Sequence, residues 1–147
     1  MTRQPFFYDV TLRDGNQALK KPWNTEEKEI IFKRLLKLGV QGIEVGFAGA
    51  SDMDFDAVRH LANLAPENVV VSSLARAVKH DIEKAAEAVK DAAKPRIHTF
   101  IAMNPLGLEH VLNKPLIEVQ KIAVDAVSYA KSLLPEYGEV QFSIEHF

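Results

Sequence analysis

The sequence predicts an α/β fold of five parallel strands and four covering helices, the first half of a TIM (β/α)8 barrel. Three observations carry that expectation. Strand-like and helix-like stretches alternate strictly as β-α-β-α-β-α-β-α-β, which calls for right-handed crossovers and parallel pairing. The strands are apolar on one face but repeatedly polar on the other, with Arg13, Glu44, His98, Ser143 and Glu145 sharing that second face. The last stretch is a strand with no helix behind it. A complete doubly wound five-stranded sheet is the other architecture with this order, but it buries both faces under helices and reads as nearly continuous apolar strands. A barrel that gathers polar strand residues at its C-terminal mouth fits better. Such barrels run to about 250 residues, so residues 1–147 are expected to be the N-terminal portion of a catalytic barrel, ending after the fifth strand.

In chain order, the first strand is expected over about residues 6–13. Tyr8, Val10 and Leu12 would point to the helices and Asp9, Thr11 and Arg13 to the other face. Asp14-Gly15 ends it in a turn. Asn24, with Glu27 three residues on, forms a capping-box pattern for a helix carrying Ile31, Leu35 and Leu38 and stopping at Gly39. Gly42 to Phe47 is the second strand, with Ile43, Val45 and Phe47 on one face and Glu44 and Gly46 on the other. Ser51-Asp52 opens a helix with Phe55, Val58, Leu61 and Ala62 on its inner side. Val69 to Leu74 is a β-branched third strand. His80-Asp81 begins a helix bearing Ile82, Ala85, Ala86 and Val89. Arg96 to Met103 is the fourth strand and Asn104 to Gly107 a loop. A long helix over about 115–134 uses Val119, Ile122, Ala123, Ala126 and Ala130 as its apolar stripe, with Pro115 in its first turn. Glu139 to Phe147 is the fifth strand, alternating Val140, Phe142 and Ile144 with Gln141, Ser143 and Glu145.

Composition removes several classes of function. A net charge of −2 supplies no basic field for nucleic acid or an anionic membrane. The absence of cysteine excludes disulfides, thiolate-bound zinc, iron–sulfur clusters and a cysteine nucleophile. No signal-like or long apolar run occurs, so a cytoplasmic location is expected, with neither membrane insertion nor secretion.

The polar face holds the candidate chemistry. A carboxylate at a strand end can bind a hard cation or accept a proton, and a neighbouring guanidinium can stabilise an oxyanion. Each residue also has a structural reading: Arg13-Asp14 as a surface pair, Glu44 as the neutraliser of a nearby arginine, His98 as a core histidine and Glu145 as an idle chain end. Gathered on one buried face those readings weaken together, because buried charges must be paired or used.

Asp9-Val-Thr-Leu-Arg-Asp-Gly-Asn-Gln17 resembles the first-strand signature of the pyruvate-carboxyltransferase-like barrels, the DRE-TIM metallolyases. That superfamily includes 2-isopropylmalate, homocitrate and citramalate synthases, hydroxymethylglutaryl-CoA lyase and 4-hydroxy-2-oxovalerate aldolase. Arg13 to Leu19, Ile43 to Phe47, Ala50 to Asp56, Ile97 to Ala102 and Phe142 to Glu145 resemble the 2-isopropylmalate synthases, in order and spacing across the chain.

The resemblance implies a Claisen condensation in leucine biosynthesis. Acetyl-CoA, the co-substrate, would add to 2-oxoisovalerate bound to a divalent metal (Mg, Mn or Zn). It also implies a homodimer for the full-length enzyme. Asp14 matches the metal-binding carboxylate and Arg13 the group that stabilises charge on the keto or enolate oxygen. Glu44 and Glu145 match acidic residues that either orient Arg13 or assist proton transfer. His98 and Ser143 match positions that contact the keto acid, while Ser72 and Arg76 are candidates for the pocket wall. Ala48, the Met103 to Leu108 segment and the Ile144-Glu145-His146-Phe147 ending depart from the common pattern and leave the keto acid open. The family's His-x-His on the seventh strand, which supplies two further metal ligands, does not occur in this sequence. The isolated chain is therefore expected to be inactive and to bind metal poorly. A non-catalytic half-barrel that self-associates is the reading from another class.

Overall fold

The computed structural model describes residues 5–102 and 113–145. Its strands are β1 (Tyr8–Asp9), β2 (Gly42–Gly46), β3 (Val70–Arg76), β4 (Pro95–Ala102) and β5 (Glu139–Glu145). Between them lie α1 (Thr25–Leu38), α2 (Asp52–Leu64), α3 (Lys79–Val89) and α4 (Leu116–Leu133). All neighbouring strands pair in parallel in the order β1-β2-β3-β4-β5. The expected Asn104–Gly107 loop, and the strand positions at Met103, His146 and Phe147, lie outside the described residues.

The first two helices begin where their side-chain caps dictate. Asn24 accepts from the Glu27 amide while the Glu27 carboxylate accepts from the Asn24 amide, each at 2.9 Å, completing a capping box. Gly39 closes α1 at φ 79°, a conformation a Cβ would strain. Ser51 caps α2 by accepting from the Asp54 amide at 3.1 Å. The α1 stripe is rotated from its expected centre. Lys28, Phe32 and Leu35 are the buried positions; at about 100° per residue Ile31 falls on the flank of that face and is half-buried, while Leu38, expected on the stripe, is turned out to solvent. In α4, Val119, Ala126 and Ala130 are buried, while Ile122 and Ala123 are half-buried. Pro115 sits at the N-cap rather than inside the first turn.

The core lies between the helices and the outward face of the sheet. Phe32, Ile43, Val45, Val58, Leu61, Val71, Ile82, Val89 and Ile97 form one cluster there. Burial of this kind contributes about 1.5–3 kcal/mol for each large side chain.

Two irregularities break the alternation expected from sequence. The first strand is far shorter than residues 6–13, because Thr11–Gly15 winds into a π-helical turn. There the Val10 carbonyl accepts from the amides of Arg13, Asp14 and Gly15 at 3.1, 2.8 and 3.4 Å. Asp9 holds the turn by accepting from the Thr11 amide at 2.9 Å and the Thr11 hydroxyl at 3.1 Å. The turn resets the two-residue period, so Leu12 enters the helix-side core while Tyr8 and Arg13 both reach the polar cluster. The expected grouping of Tyr8 with Leu12, and of Asp9 and Thr11 with Arg13, is thus wrong. The second irregularity is a register shift between Glu44 and Gly46. It turns Gly46 towards α2, where a Cβ would meet Val58 Cγ2 at 2.8 Å, instead of leaving it beside Glu44.

Candidate active site

Glu44 is the hub of the site. Its side chain is 0% exposed, and both carboxylate oxygens are occupied. Oε1 accepts from Arg13 Nε at 2.5 Å, and Oε2 from the Tyr8 hydroxyl at 2.9 Å and His98 Nδ1 at 2.5 Å. A carboxylate without water must be compensated in this way or it takes up a proton. Burial opposes ionisation of Glu44, but hydrogen bonds and charge from His98 and Arg13 outweigh it and hold the carboxyl below its ordinary range. Burial and the nearby Glu44 charge push the Tyr8 phenol well above its usual value, so Tyr8 stays a donor.

Three strands and the π turn assemble the rest. The turn presents Arg13, whose NH1 donates to Asp14 Oδ1 at 2.7 Å while its Nε holds Glu44. Asp14 itself is open to solvent, with a side chain 68% exposed. From β3, Ser72 lies 2.5 Å from the Tyr8 hydroxyl. From β4, His98 spans the site. Its Nδ1 faces the Glu44 carboxylate and therefore carries hydrogen, while its Nε2 lies 2.7 Å from Ser143 Oγ on β5. Below this layer Arg96 pairs with Glu139, donates to Gln141 at 3.2 Å, and stacks 5.3 Å from the centre of the Tyr8 ring.

Of the residues singled out from sequence, Arg13, Asp14, Glu44, Ser72, His98 and Ser143 form one connected network. Ser72 belongs to it from behind, fully buried under Tyr8. Arg76 does not join. Its guanidinium grips buried Asp81 at 2.6 and 3.0 Å and lies over the Phe47 ring. Glu145 ends β5 opposite Ala102, and the bonds to Arg13 and Glu44 described above come from other residues. Tyr8 was missed from sequence, where strand parity turned it towards the helices; in the structure it pairs in register with Gly42. A Cβ at Gly42 would sit 2.6 Å from Tyr8 Cδ2, so the glycine leaves room for the ring.

Beside the cluster opens a cleft of about 320 Å³, lined by Arg13, Asn16, Gln17, Gly46, Phe47 and Lys28 among others. Lys28 is 3% exposed and bonds Asp54 at 3.3 Å, tying α1 to α2 at the cleft wall. Among the described residues no three His, Asp or Glu side chains converge as a metal cage. Within the described polar cluster, Asp14 presents the exposed carboxylate a ligand needs, and one carboxylate is an incomplete donor set for a divalent ion.

Five parallel strands in sequential order, with buried Glu44 bonded to Arg13 of the turn after β1, make a half-barrel with a polar inner cluster. The HMGL-like family profile matches residues 4–147, and the chain belongs to that family. Its curated relatives include the 2-isopropylmalate synthase 2 of Leptospira interrogans, 54% identical over 97% of this chain and 33% of the relative. The 2-isopropylmalate synthases of Aliarcobacter butzleri and Clostridium kluyveri are 49% and 46% identical over 94% and 99% of this chain, and 26% and 27% of their own lengths. The chain thus spans a third or less of these relatives. In fold it is similar to the crystal structure of Bacillus subtilis HMG-CoA lyase, with a TM-score of 0.68 and 18% identity over 93% of this chain and 46% of the lyase. The five strands are consistent with the first half of a TIM barrel.

Proposed function

We propose that this chain supplies the first half of the catalytic barrel of a 2-isopropylmalate synthase-type enzyme, condensing acetyl-CoA with 2-oxoisovalerate. The observation that carries this is the pair of buried Glu44 on β2 with Arg13 of the turn after β1, in a chain 54% identical to a relative of that name. In the condensation, a base takes an acetyl methyl proton, the enolate carbon attacks the ketone carbon, the alkoxide so formed takes up a proton, and water then cleaves the thioester to release the CoA thiol. Negative charge passes from the enolate oxygen to the former ketone oxygen. Arg13 spends Nε on Glu44 and one NH1 hydrogen on Asp14, leaving further N–H groups for that oxygen.

Glu44 serves this chemistry by orientation. With Arg13, Tyr8 and His98 already on its oxygens, it aligns the guanidinium rather than abstracting the proton. His98 and Ser143 form the polar wall for the keto acid, with the imidazole Nε2 and the serine hydroxyl as its exchangeable hydrogen-bonding groups. A divalent metal would polarise the 2-oxo group, and Asp14 is the described residue suited to one of its positions. The enzyme is read as cytoplasmic and homodimeric in full, with acetyl-CoA and a 2-oxo acid as its partners and no nucleic acid or membrane.

The test is thiol release from acetyl-CoA with a panel of 2-oxo acids. It would use the chain alone and the chain fused in frame to the remaining two thirds of the Leptospira interrogans relative. The expected result is no turnover by the chain alone and preference for 2-oxoisovalerate by the fusion. Preference for pyruvate or 2-oxoglutarate would replace this proposal with citramalate or homocitrate synthesis. An active isolated chain would refute the half-site.

A further inference from the structure

The Tyr8 ring does not line the cleft, yet its hydroxyl reaches the buried carboxylate of Glu44. Gly42 makes space for its ring, Arg96 stacks on that ring, and its oxygen bridges Glu44 Oε2 at 2.9 Å and Ser72 Oγ at 2.5 Å. We propose that Tyr8 is a positioning residue whose hydroxyl locks the Glu44 carboxylate in the rotation that divides its oxygens between Arg13 and His98.

The proton count supports one arrangement. Ionised Glu44 can only accept, and Tyr8 has a single hydroxyl hydrogen, so Tyr8 donates to Glu44 and Ser72 donates to Tyr8. Ser72's other acceptor, the Ile43 carbonyl, lies at 3.5 Å. Rotation about the terminal carboxylate torsion is broad in the absence of partners. Arg13 holds one oxygen through a single N–H, and His98 approaches the other from β4. Tyr8, approaching from β1, supplies the third direction that fixes the carboxylate plane. The charged and titratable groups around it are Arg13 and Asp14 from the turn, His98 and Arg96 from β4, and Glu139 from β5 through Arg96. The catalytic meaning of that lock rests on the role proposed above for Arg13, whereas its existence can be measured without substrate.

Tyr8→Phe keeps the ring, the Gly42 contact and the Arg96 stacking, and removes only the hydroxyl. NMR of the chain would follow the Arg13 Nε–H resonance and the Glu44 carboxyl carbon through a pH titration. In Tyr8→Phe the Nε–H should exchange with solvent about tenfold faster, the effect of losing about one hydrogen bond from the cluster. The Glu44 midpoint should move up, while backbone shifts of the four helices stay in place. An unchanged Nε–H and midpoint in a folded Tyr8→Phe chain would reduce Tyr8 to packing and overturn the proposal. If that variant does not fold, the unsubstituted chain decides. A slowly exchanging Tyr8 hydroxyl proton with a nuclear Overhauser contact to the His98 Nδ1–H is expected, and a rapidly exchanging one would overturn the proposal. Both readouts are independent of turnover, so a wrong substrate assignment would leave them unaffected.

Discussion

Glu44 shows what a buried charge requires and how much of that a sequence discloses. Its place on the polar face follows from the alternation Ile43-Glu44-Val45, and its neighbour Arg13 was legible from the Arg-Asp-Gly signature. The hydrogen bond from Tyr8 was not legible, because side-chain parity along β1 is reset within the following turn. Removing the carboxylate leaves Arg13 with only exposed Asp14 as a partner and strips the acceptor from Nδ1 of a buried histidine. Glu44→Ala should therefore cost about 3–5 kcal/mol in a urea unfolding experiment, as broken buried pairs do. The pH dependence has a definite sign. Because the folded carboxyl titrates below its ordinary value, its stabilisation is complete above pH of about 4.3 and is lost as pH falls towards the folded value. Glu44→Gln should flatten that acid limb of the stability profile, and a profile unchanged by the substitution would contradict the assignment.

At the scale of elements, helix boundaries were readable because caps are local chemistry. Asn24, Glu27, Gly39 and Ser51 each act within a few residues of where they stand. The π turn and the register shift in β2 were not readable, since each depends on how a strand end meets its neighbours. Asn24→Ala, which removes half the capping box, should lower stability by about 1 kcal/mol with an unchanged denaturant slope. Gly42→Ala should cost about 1–3 kcal/mol, because the added methyl overlaps the Tyr8 ring. That variant should also disturb the Arg13 Nε–H resonance, whereas Asn24→Ala should leave it alone. Lys28 was unforeseen as well: a lysine in a helix sequence reads as solvated, and only the packing of α1 against α2 buries it beside Asp54.

For the molecule as a whole, the polar inner face was the most informative single pattern in the sequence. It separated a half-barrel from a doubly wound sheet before any fold was known, and the parallel order β1 to β5 agrees. Arg76, offered by the resemblance as a pocket-wall residue, marks a limit of that resemblance, since it turns to Asp81 instead. Among the described residues β1 and β5 are the sheet edges, and Phe142 and Ile144 on β5 are 36% and 46% exposed. Unpaired edges with apolar side chains invite association. The chain should therefore show concentration-dependent self-association in sedimentation velocity, and Ile144→Lys should reduce it.

The proposed chemistry turns on Arg13, aligned by Glu44, stabilising the oxygen on which charge develops. Its most direct test is Arg13→Ala in the fusion with the rest of the Leptospira interrogans barrel, assayed by thiol release at saturating 2-oxoisovalerate. Loss of the oxyanion partner should lower kcat by about 10²–10³-fold. A folded Arg13→Ala fusion with the kcat of its parent would contradict it.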